Sequence, residues 1–460
     1  MIGFSTGLIR MGRQAIMQRA RPEVSSCHHC AGRDPSSQRV PGSRESDLVA
    51  LTNPSKQEED TMLYRKMPKT GDELSILGFG LMRLPMTGEG RIDEPRAMRQ
   101  IRSAIDQGIN YLDTAWPYHA GESENVLGRA LADGYRDKVR IATKLPSWMI
   151  KRRADMDAYL DAQLEKLRTD RIDYYLLHAL AGDPWDKLDA LDVVDFLDKA
   201  KAAGHIVNAG FSFHGRLPDF KRIVDAYPWE FCQIQYNYLD EENQAGTEGL
   251  RYAASKGLGV VIMEPLRGGN LALPTPPPEV AAIWETAATV RTPVEWALRW
   301  VWDHPEVTVV LSGMNAEAQI EENLGIAARA LPNSLTSQER ALVAEAGRKY
   351  KALMKVGCTG CGYCMPCPSE VHIPGCFEVY NKMHMFGNPQ EGRVLYAIRM
   401  SGIISGTAGY ASQCVQCGEC LEKCPQQIQI PDVLERVVAE LEDADLEKRV
   451  AMGKKMLNID

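Results

Sequence analysis

The sequence predicts a (β/α)₈ TIM barrel followed by a small, mainly helical, cysteine-rich unit, and three observations support this fold class. Across residues 74–331, eight short apolar or β-branched runs alternate with longer amphipathic stretches. Several of these stretches stop at a glycine, as helices that end in a left-handed cap do. Eight of the 12 cysteines fall in two groups near the C-terminus. Eight strand–helix units in roughly 250 residues are typical of this barrel.

Composition excludes several classes of protein. The chain has 460 residues, of which 44% are hydrophobic and 25% charged, as in ordinary globular proteins. Its net charge of −8 supplies no excess of positive charge for a nucleic-acid surface. No run approaches the roughly 20 apolar residues of a membrane-spanning helix. We therefore expect neither a nucleic-acid nor a membrane partner.

Residues 1–61 are predicted to lie outside the folded domains. Ser, Arg, Pro and Gln dominate residues 21–57, which is a composition typical of disorder. Three interpretations stay open: a disordered tail, an organellar presequence, or upstream sequence that precedes a true start at Met62. The segment contains one CxxC pair, Cys27 and Cys30, but a single pair is weak evidence for a metal site and we interpret it as coincidence.

The alternating pattern places each barrel element. The predicted strands are residues 76–81, 110–115, 139–145, 173–179, 206–213, 231–238, 259–265 and 307–313. Helical periodicity predicts helices that include residues 95–107, 123–132, 155–167, 193–203 and 316–330. An open, doubly wound sheet is the alternative, but its GxGxxG fingerprint is absent, since the nearest match, residues 78–83, ends in Arg83. A proline-rich stretch at 274–278 reads as an insertion after the seventh strand.

Polar residues stand at the carboxyl ends of the predicted strands. Asp113, Lys144 and His178 end three consecutive strands, and Ser212 and Gln233 follow in the next two. A barrel enzyme draws its catalytic groups from these ends. One such residue alone is more often structural, but three ionisable groups at matching positions predict an active site.

These residues lie in motifs that resemble the aldo/keto reductase family over roughly residues 63–331. The motifs are LDTAWPYHAGESENVLGRAL, ATKLP, LLH, AGFS, QIQYN and EENL. The resemblance implies an oxidoreductase that transfers a hydride between NADP or NAD and a carbonyl or alcohol substrate. It also implies a catalytic tetrad of Asp113, Tyr118, Lys144 and His178. In this tetrad Tyr118 donates the proton, Lys144 and Asp113 support it, and His178 holds the substrate oxygen.

The resemblance also implies how the cofactor is held. Ser212 and Gln233 are expected at the nicotinamide carboxamide, with Tyr236 or Tyr238 stacking on the ring. Where many family members have an asparagine after this serine, the chain has a phenylalanine followed by a histidine. Arg267 is a candidate for the pyrophosphate or the 2′-phosphate, with a solvated surface arginine as the alternative. The residues expected at the adenosine end are Gly313, Met314, Gln319, Glu322 and Asn323.

The clustered cysteines point to iron–sulfur chemistry. Cys414, Cys417, Cys420 and Cys424 reproduce CxxCxxCxxxCP, the bacterial pattern for [4Fe-4S] clusters, and a shorter-spaced set precedes them at Cys358, Cys361, Cys364 and Cys367. Structural zinc, the alternative, needs only four ligands. The module looks like a helical two-cluster ferredoxin, with helices at 376–385 and 391–404. That resemblance implies crossed ligation, with Cys424 completing the first cluster and Cys367 the second.

The predicted organisation is an extension at 1–61, a barrel at 62–335 and a cluster module at 336–460 that ends in an amphipathic helix over 432–457. Cys232 and Cys376, outside both sets, are predicted to pack as small hydrophobes. Clusters and free thiols favour a reducing compartment, so we expect the cytoplasm.

Two classes of function stay open for this organisation. The clusters either exchange electrons with the barrel or with a ferredoxin or flavoprotein partner, or they serve folding, docking or sensing in a plain carbonyl reductase. A regulatory subunit is a third possibility.

Overall fold

The computed structural model describes residues 61–88, 90–403 and 406–457, with residues 455–457 as backbone only. The cysteine pair at positions 27 and 30, with the rest of the extension up to residue 60, lies outside these ranges. No helix in the described ranges is long and apolar enough to cross a membrane.

The described strands form a closed barrel and a hairpin that precedes it. They are β1 (Tyr64–Lys66), β2 (Glu73–Ser75), β3 (Leu77–Gly80), β4 (Tyr111–Asp113), β5 (Arg140–Leu145), β6 (Ile172–Leu180), β7 (Ile206–Phe213), β8 (Phe231–Gln235), β9 (Gly259–Met263) and β10 (Val307–Ser312). The eight barrel strands are parallel and follow the order β10-β3-β4-β5-β6-β7-β8-β9, whereas β1 and β2 form the antiparallel hairpin. All eight predicted strands are present, so the barrel prediction is confirmed.

Helices surround the barrel and continue into the C-terminal module. They are α1 (Glu94–Asp106), α2 (Ser123–Ala130), α3 (Arg153–Leu167), α4 (Gly182–Asp189), α5 (Val193–Ala202), α6 (Leu217–Ala226), α7 (Gly246–Ser255), α8 (Pro278–Trp284), α9 (Pro293–Trp302), α10 (Glu317–Ala327), α11 (Ser337–Leu353), α12 (Ile373–Met385), α13 (Pro389–Met400), α14 (Glu419–Lys423), α15 (Ile430–Leu441) and α16 (Leu446–Leu457). The insertion predicted after the seventh barrel strand carries α8.

The hairpin closes the amino-terminal end of the barrel, and the sequence pattern did not predict it. Met67 and Leu74 are fully buried in one cluster with inward-facing strand residues such as Tyr174 and Phe231. A Cβ on Gly259 would lie 1.8 Å from the sulfur of Met67, so this glycine makes room for the hairpin. With that end filled, the opposite, carboxyl-terminal end is the open mouth of the barrel.

The C-terminal module has its own apolar core. Residues of α12, α13 and α15 form a hydrophobic cluster separate from the barrel core. Cys376 is buried in it, with its sulfur 3.6 Å from the sulfur of Met400, and Cys232, a residue of β8, is buried in the barrel core. Within the described residues, these are the two cysteines outside the ligand sets, and both pack in an apolar core, as predicted.

The predicted single helix at 432–457 is wrong, because the chain forms α15 and α16 with a break between them. The carboxylate of Asp443 accepts hydrogen bonds from the backbone N–H of Asp445 at 3.0 Å and from the guanidinium of Arg449 at 2.7 and 2.8 Å. An aspartate that binds the backbone two residues ahead favours a turn over a continuous helix. After this turn α16 packs on α13, where Gly453 lies close to Ile398.

Candidate active site and cluster ligands

Three of the four tetrad residues stand on neighbouring barrel strands. Asp113 ends β4, Lys144 lies in β5 and His178 in β6, and the parallel pairing of these strands brings their side chains to one mouth. The buried ammonium of Lys144 donates to Oδ1 of Asp113 and to the backbone carbonyl of Thr114, both at 2.7 Å. This contact fixes the ammonium at the floor of the site.

Tyr118 and His178 complete the same group on the side that faces the cleft. The Lys144 ammonium lies 5.1 Å from the centre of the Tyr118 ring, and the Tyr118 and His178 rings lie 6.2 Å apart, edge to face. Tyr118 and His178 line a cleft of about 1410 Å³, together with Trp148. The structure therefore brings all four predicted tetrad residues together.

Burial controls the protonation of this group. It raises the pKa of Tyr118 well above 10, with Tyr363 and Asp113 adding to the shift, so Tyr118 keeps its proton at neutral pH. Burial also lowers the pKa of Lys144, and Asp113 opposes that shift. For His178, burial and then the charge of Lys144 lower the pKa well below 6.5, so its imidazole is neutral. The site thus presents two neutral groups above a buried ion pair.

A second buried network, which the sequence analysis missed, supports the lysine strand. Gln163 Nε2 donates to Oε1 of Glu124 at 2.6 Å and to the backbone carbonyl of Lys144 at 3.1 Å. The hydroxyl of Thr143 donates to the same Glu124 oxygen at 2.7 Å. Glu124 lies within the motif that follows Tyr118, so the acidic residues of that motif were the available signal.

Ser212 and Gln233 lie side by side on β7 and β8. The Ser212 hydroxyl accepts from the backbone N–H of Ala179 at 2.8 Å and keeps its own proton to donate. Gln233 Oε1 is buried and has no hydrogen-bond partner among the described residues. An unpaired buried acceptor beside a hydroxyl donor fits a carboxamide, which offers both an N–H and a carbonyl. These two residues therefore fit the nicotinamide end of the cofactor.

The two predicted aromatic candidates lie elsewhere. The Tyr236 hydroxyl contacts Thr247 at 2.8 Å and His304 at 3.2 Å, and its ring packs on Trp300. Tyr238 also packs against Trp300. Both rings belong to the layer of helices around the barrel. The side chain next to Gln233 is instead Met263, whose sulfur lies 3.6 Å from Nε2 of the glutamine.

Arg267, the candidate ligand of a cofactor phosphate, already forms contacts with other residues of the protein. Nε of Arg267 donates to Oδ2 of Asp240 at 3.1 Å in a buried ion pair, and its Nη2 reaches the carbonyl of Gly357 at 3.5 Å. Its charge is therefore balanced within the protein. Arg83, the residue that ends the incomplete glycine-rich motif, lies beside Gly313. A Cβ on Gly313 would be 3.2 Å from the Arg83 side chain.

Of the remaining candidates for the adenosine end, Gln319, Glu322 and Asn323 lie on α10, and Gly313 and Met314 precede it. Their side chains are engaged with neighbours: Gln319 Oε1 accepts from the backbone N–H of Asn315 at 3.0 Å, Glu322 from the hydroxyl of Thr292 at 2.8 Å, and Asn323 Nδ2 donates to Ser312 at 3.0 Å. The residues present thus fit the nicotinamide end of a dinucleotide more clearly than its phosphate end.

The eight clustered cysteines surround two neighbouring cavities. One cavity is lined by Cys358, Cys361, Cys364 and Cys424. The other is lined by Cys367, Cys414, Cys417 and Cys420, with Cys364 at its edge. These are the crossed quartets that the resemblance implied. A [4Fe-4S] cluster needs four cysteine ligands, and four cysteines of one quartet line each cavity.

The first cysteine loop lies against the mouth of the barrel, which the sequence analysis did not foresee. Asn270 Nδ2 donates to the carbonyl of Cys358 at 3.4 Å, and Gln244 Nε2 donates to the carbonyl of Pro425 at 3.1 Å. The hydroxyl of Tyr363 lies 3.0 Å from Nε2 of His178. Cysteines of the first quartet and the tetrad residues consequently line one cleft.

The crossed arrangement predicts which iron is lost when one cysteine is removed. Cys424→Ala removes a ligand of the first cavity, so anaerobically reconstituted protein should fall from about eight to about four irons per chain. Cys376→Ala, which removes a buried cysteine outside both sets, is the matched control and should keep the full iron content. Equal iron in the two variants, measured by chemical analysis, would contradict the assignment of Cys424.

Comparison with known proteins agrees with this geometry. Residues 76–343 match the aldo/keto reductase family and residues 357–428 a 4Fe-4S dicluster domain. The aldo-keto reductase YhdN of Bacillus subtilis is 26% identical over 297 residues, which cover 56% of this chain and 87% of that protein. The L-galactose dehydrogenase of Arabidopsis thaliana is 28% identical over 281 residues, covering 56% and 86%.

A solved structure resembles the chain as well. The holo form of aldo-keto reductase AKR11C1 from Bacillus halodurans aligns with a TM-score of 0.53 and 27% identity, over 62% of this chain and 96% of that one. The match to the family spans more than half of the 460 residues. The chain is therefore an oxidoreductase that belongs to the aldo/keto reductase family and carries a 4Fe-4S dicluster domain after its barrel.

Proposed function

We propose that the chain interconverts a carbonyl compound and its alcohol at the barrel mouth, using NADPH or NADH, and that its two clusters exchange electrons with this site. One observation carries the proposal. Tyr118 and His178 line the same cleft as Cys361 and Cys424, two ligands of the first cluster. A substrate in this cleft contacts the proton donor on one side and borders the cluster on the other.

The residues at the barrel mouth have separate roles in carbonyl reduction. When bound, the nicotinamide supplies the hydride, and Ser212 and Gln233 hold its carboxamide. Tyr118, protonated at neutral pH, gives its proton to the oxygen that becomes negative. The buried pair of Lys144 and Asp113 fixes the floor beneath the Tyr118 ring.

The two cysteine sets differ in their exposure, which supports a direction for electron flow. The first set borders the barrel cleft, whereas Cys417 of the second set is exposed and its neighbour Val415 is 70% exposed. A ferredoxin or flavoprotein therefore finds its closest approach at the second cluster. Each cluster carries one electron, and the pair together holds the two electrons that one nicotinamide hydride carries. A reducing cytoplasm suits such clusters.

A second candidate function follows from the contacts between module and barrel. Asn270 and Gln244 both donate to backbone carbonyls of the cysteine-rich segments. Cluster binding contributes free energy to folding of the module. In this second candidate the clusters only keep the module folded, and the folded module shapes the mouth of a plain carbonyl reductase through these contacts. The two candidates differ in whether electrons pass between the clusters and the cleft.

Loss of the phenol tests the barrel chemistry. Tyr118→Phe should lower benzaldehyde reduction by NADPH by about 10²-fold to 10⁴-fold, because the general acid is gone. Binding of NADPH, followed by its fluorescence, should be unchanged. Tyr135→Phe is the matched control, since its hydroxyl contacts Asp106 on the surface, and it should retain native turnover. Native turnover in Tyr118→Phe would contradict the assignment.

Electron exchange can be tested without a substrate. NADPH added anaerobically to the oxidised protein should produce the EPR signal of reduced clusters. In the proposal the nicotinamide and the first cluster border the same cleft, so electrons can pass between them. Dithionite added to a parallel sample gives the full signal for comparison. Clusters that stay EPR-silent with NADPH, while benzaldehyde is turned over normally, would favour the second candidate function.

A further inference from the structure

Tyr363 belongs to the cluster module by sequence and to the barrel site by position. It lies between Cys361 and Cys364, yet its hydroxyl is 3.0 Å from Nε2 of His178. The Tyr363 ring is surrounded by three aromatic side chains, with centroid distances of 6.4 Å to Trp148, 6.2 Å to His178 and 6.3 Å to His214. It also lines the cleft that holds Tyr118.

The direction of the hydrogen bond follows from the other nitrogen of His178. Nδ1 is buried and has no partner within the described residues. A neutral imidazole carries one proton, and a buried N–H without an acceptor is rarer in proteins than an unpaired acceptor. The proton therefore belongs on Nε2, which donates it to the Tyr363 oxygen. The Tyr363 hydroxyl then keeps its own proton, and no second partner for this hydroxyl lies in the described part of the chain.

The loop that carries Tyr363 is held against the barrel. Asn270 Nδ2 donates to the carbonyl of Cys358. A Cβ on Gly268 would lie 1.9 Å from the carbonyl oxygen of Thr359, so the barrel loop and the cysteine loop are packed backbone against backbone. Ligation of a cluster by Cys361 and Cys364, on the two sides of Tyr363, would anchor the loop further. These constraints oppose a displacement of the phenol by the substrate.

We propose that Tyr363 is a catalytic residue of the barrel, supplied by the cluster module: its hydroxyl donates a hydrogen bond to the carbonyl oxygen of an aldehyde or ketone. His178 then acts as a positioning residue that orients this hydroxyl. Tyr363 keeps its proton throughout, while Tyr118 transfers one to the oxygen and the carbon receives the hydride. This inference rests on the proposed function, and it makes the barrel site incomplete without the module.

The experiment compares Tyr363→Phe, His178→Ala and the double variant in benzaldehyde reduction by NADPH. Removing one oxyanion donor should lower kcat by about 10²-fold, and the loss should fall on kcat more than on KM. Because the two residues act in series, adding His178→Ala to Tyr363→Phe should cost less than about 3-fold more, far below the product of the single losses. Tyr380→Phe, which removes a module hydroxyl that contacts Glu440, should retain native turnover.

Affinity for benzaldehyde, measured by quenching of tryptophan fluorescence, gives a second readout. A donor that contacts the oxygen predicts weaker binding in Tyr363→Phe. If the phenol merely blocks the site, Tyr363→Phe should bind benzaldehyde more tightly and keep a native or higher kcat. His178→Ala should then lower kcat equally in the wild-type protein and in Tyr363→Phe. That set of results would overturn the inference.

The controls separate this inference from the proposed function. Iron content and the EPR signal of the dithionite-reduced protein should be native in Tyr363→Phe, which shows that its clusters are intact. Loss of turnover in Tyr118→Phe with native kinetics in Tyr363→Phe would overturn the inference alone. Native turnover in Tyr118→Phe, or a wild-type protein that neither binds nor reduces benzaldehyde, would contradict both.

Discussion

The hydrogen bond between Tyr363 and His178 joins the two halves of this protein at the point where chemistry occurs. It connects a loop between two cluster cysteines to the end of a barrel strand. Around it, Asn270 and Gln244 hold the cysteine-rich segments against the mouth. This contact holds the first cysteine loop at the barrel mouth. The shared cleft, the position of the first cluster beside it and the role inferred for Tyr363 depend on that placement. A barrel without the module would present a different site.

Beneath this contact, the site is built on a buried ion pair. Burying the charges of Lys144 and Asp113 is costly, and their direct contact offsets part of that cost. The carbonyl of Thr114 accepts a second bond from the ammonium, and the network around Glu124 holds the lysine strand from behind. The same burial keeps Tyr118 protonated and His178 neutral. The protonation states that suit carbonyl reduction therefore arise from exclusion of water.

Local and periodic features were predictable from the sequence, and long-range contacts were not. Strands of a parallel barrel are buried on both faces, so they read as apolar runs, and the ends of those runs predicted where Asp113, Lys144 and His178 converge. The hairpin closing the barrel escaped notice because each of its strands has only three residues. Tyr236 was predicted to stack on the nicotinamide but packs on Trp300. No local pattern indicates whether a side chain just after β8 points to the barrel mouth or to the surrounding helices. The contact between Tyr363 and His178 spans 185 positions, and no local pattern encodes it.

The central claim is that the clusters exchange electrons with the barrel cleft, and the reduction of NADP⁺ by the clusters tests it most directly. Protein with both clusters reduced, freed of excess reductant, is mixed anaerobically with NADP⁺ while cluster oxidation and NADPH formation are measured. NADP⁺ takes up two electrons and one proton, so the account predicts one NADPH for each pair of clusters oxidised. Clusters that stay reduced in protein that reduces benzaldehyde normally with NADPH would contradict the account.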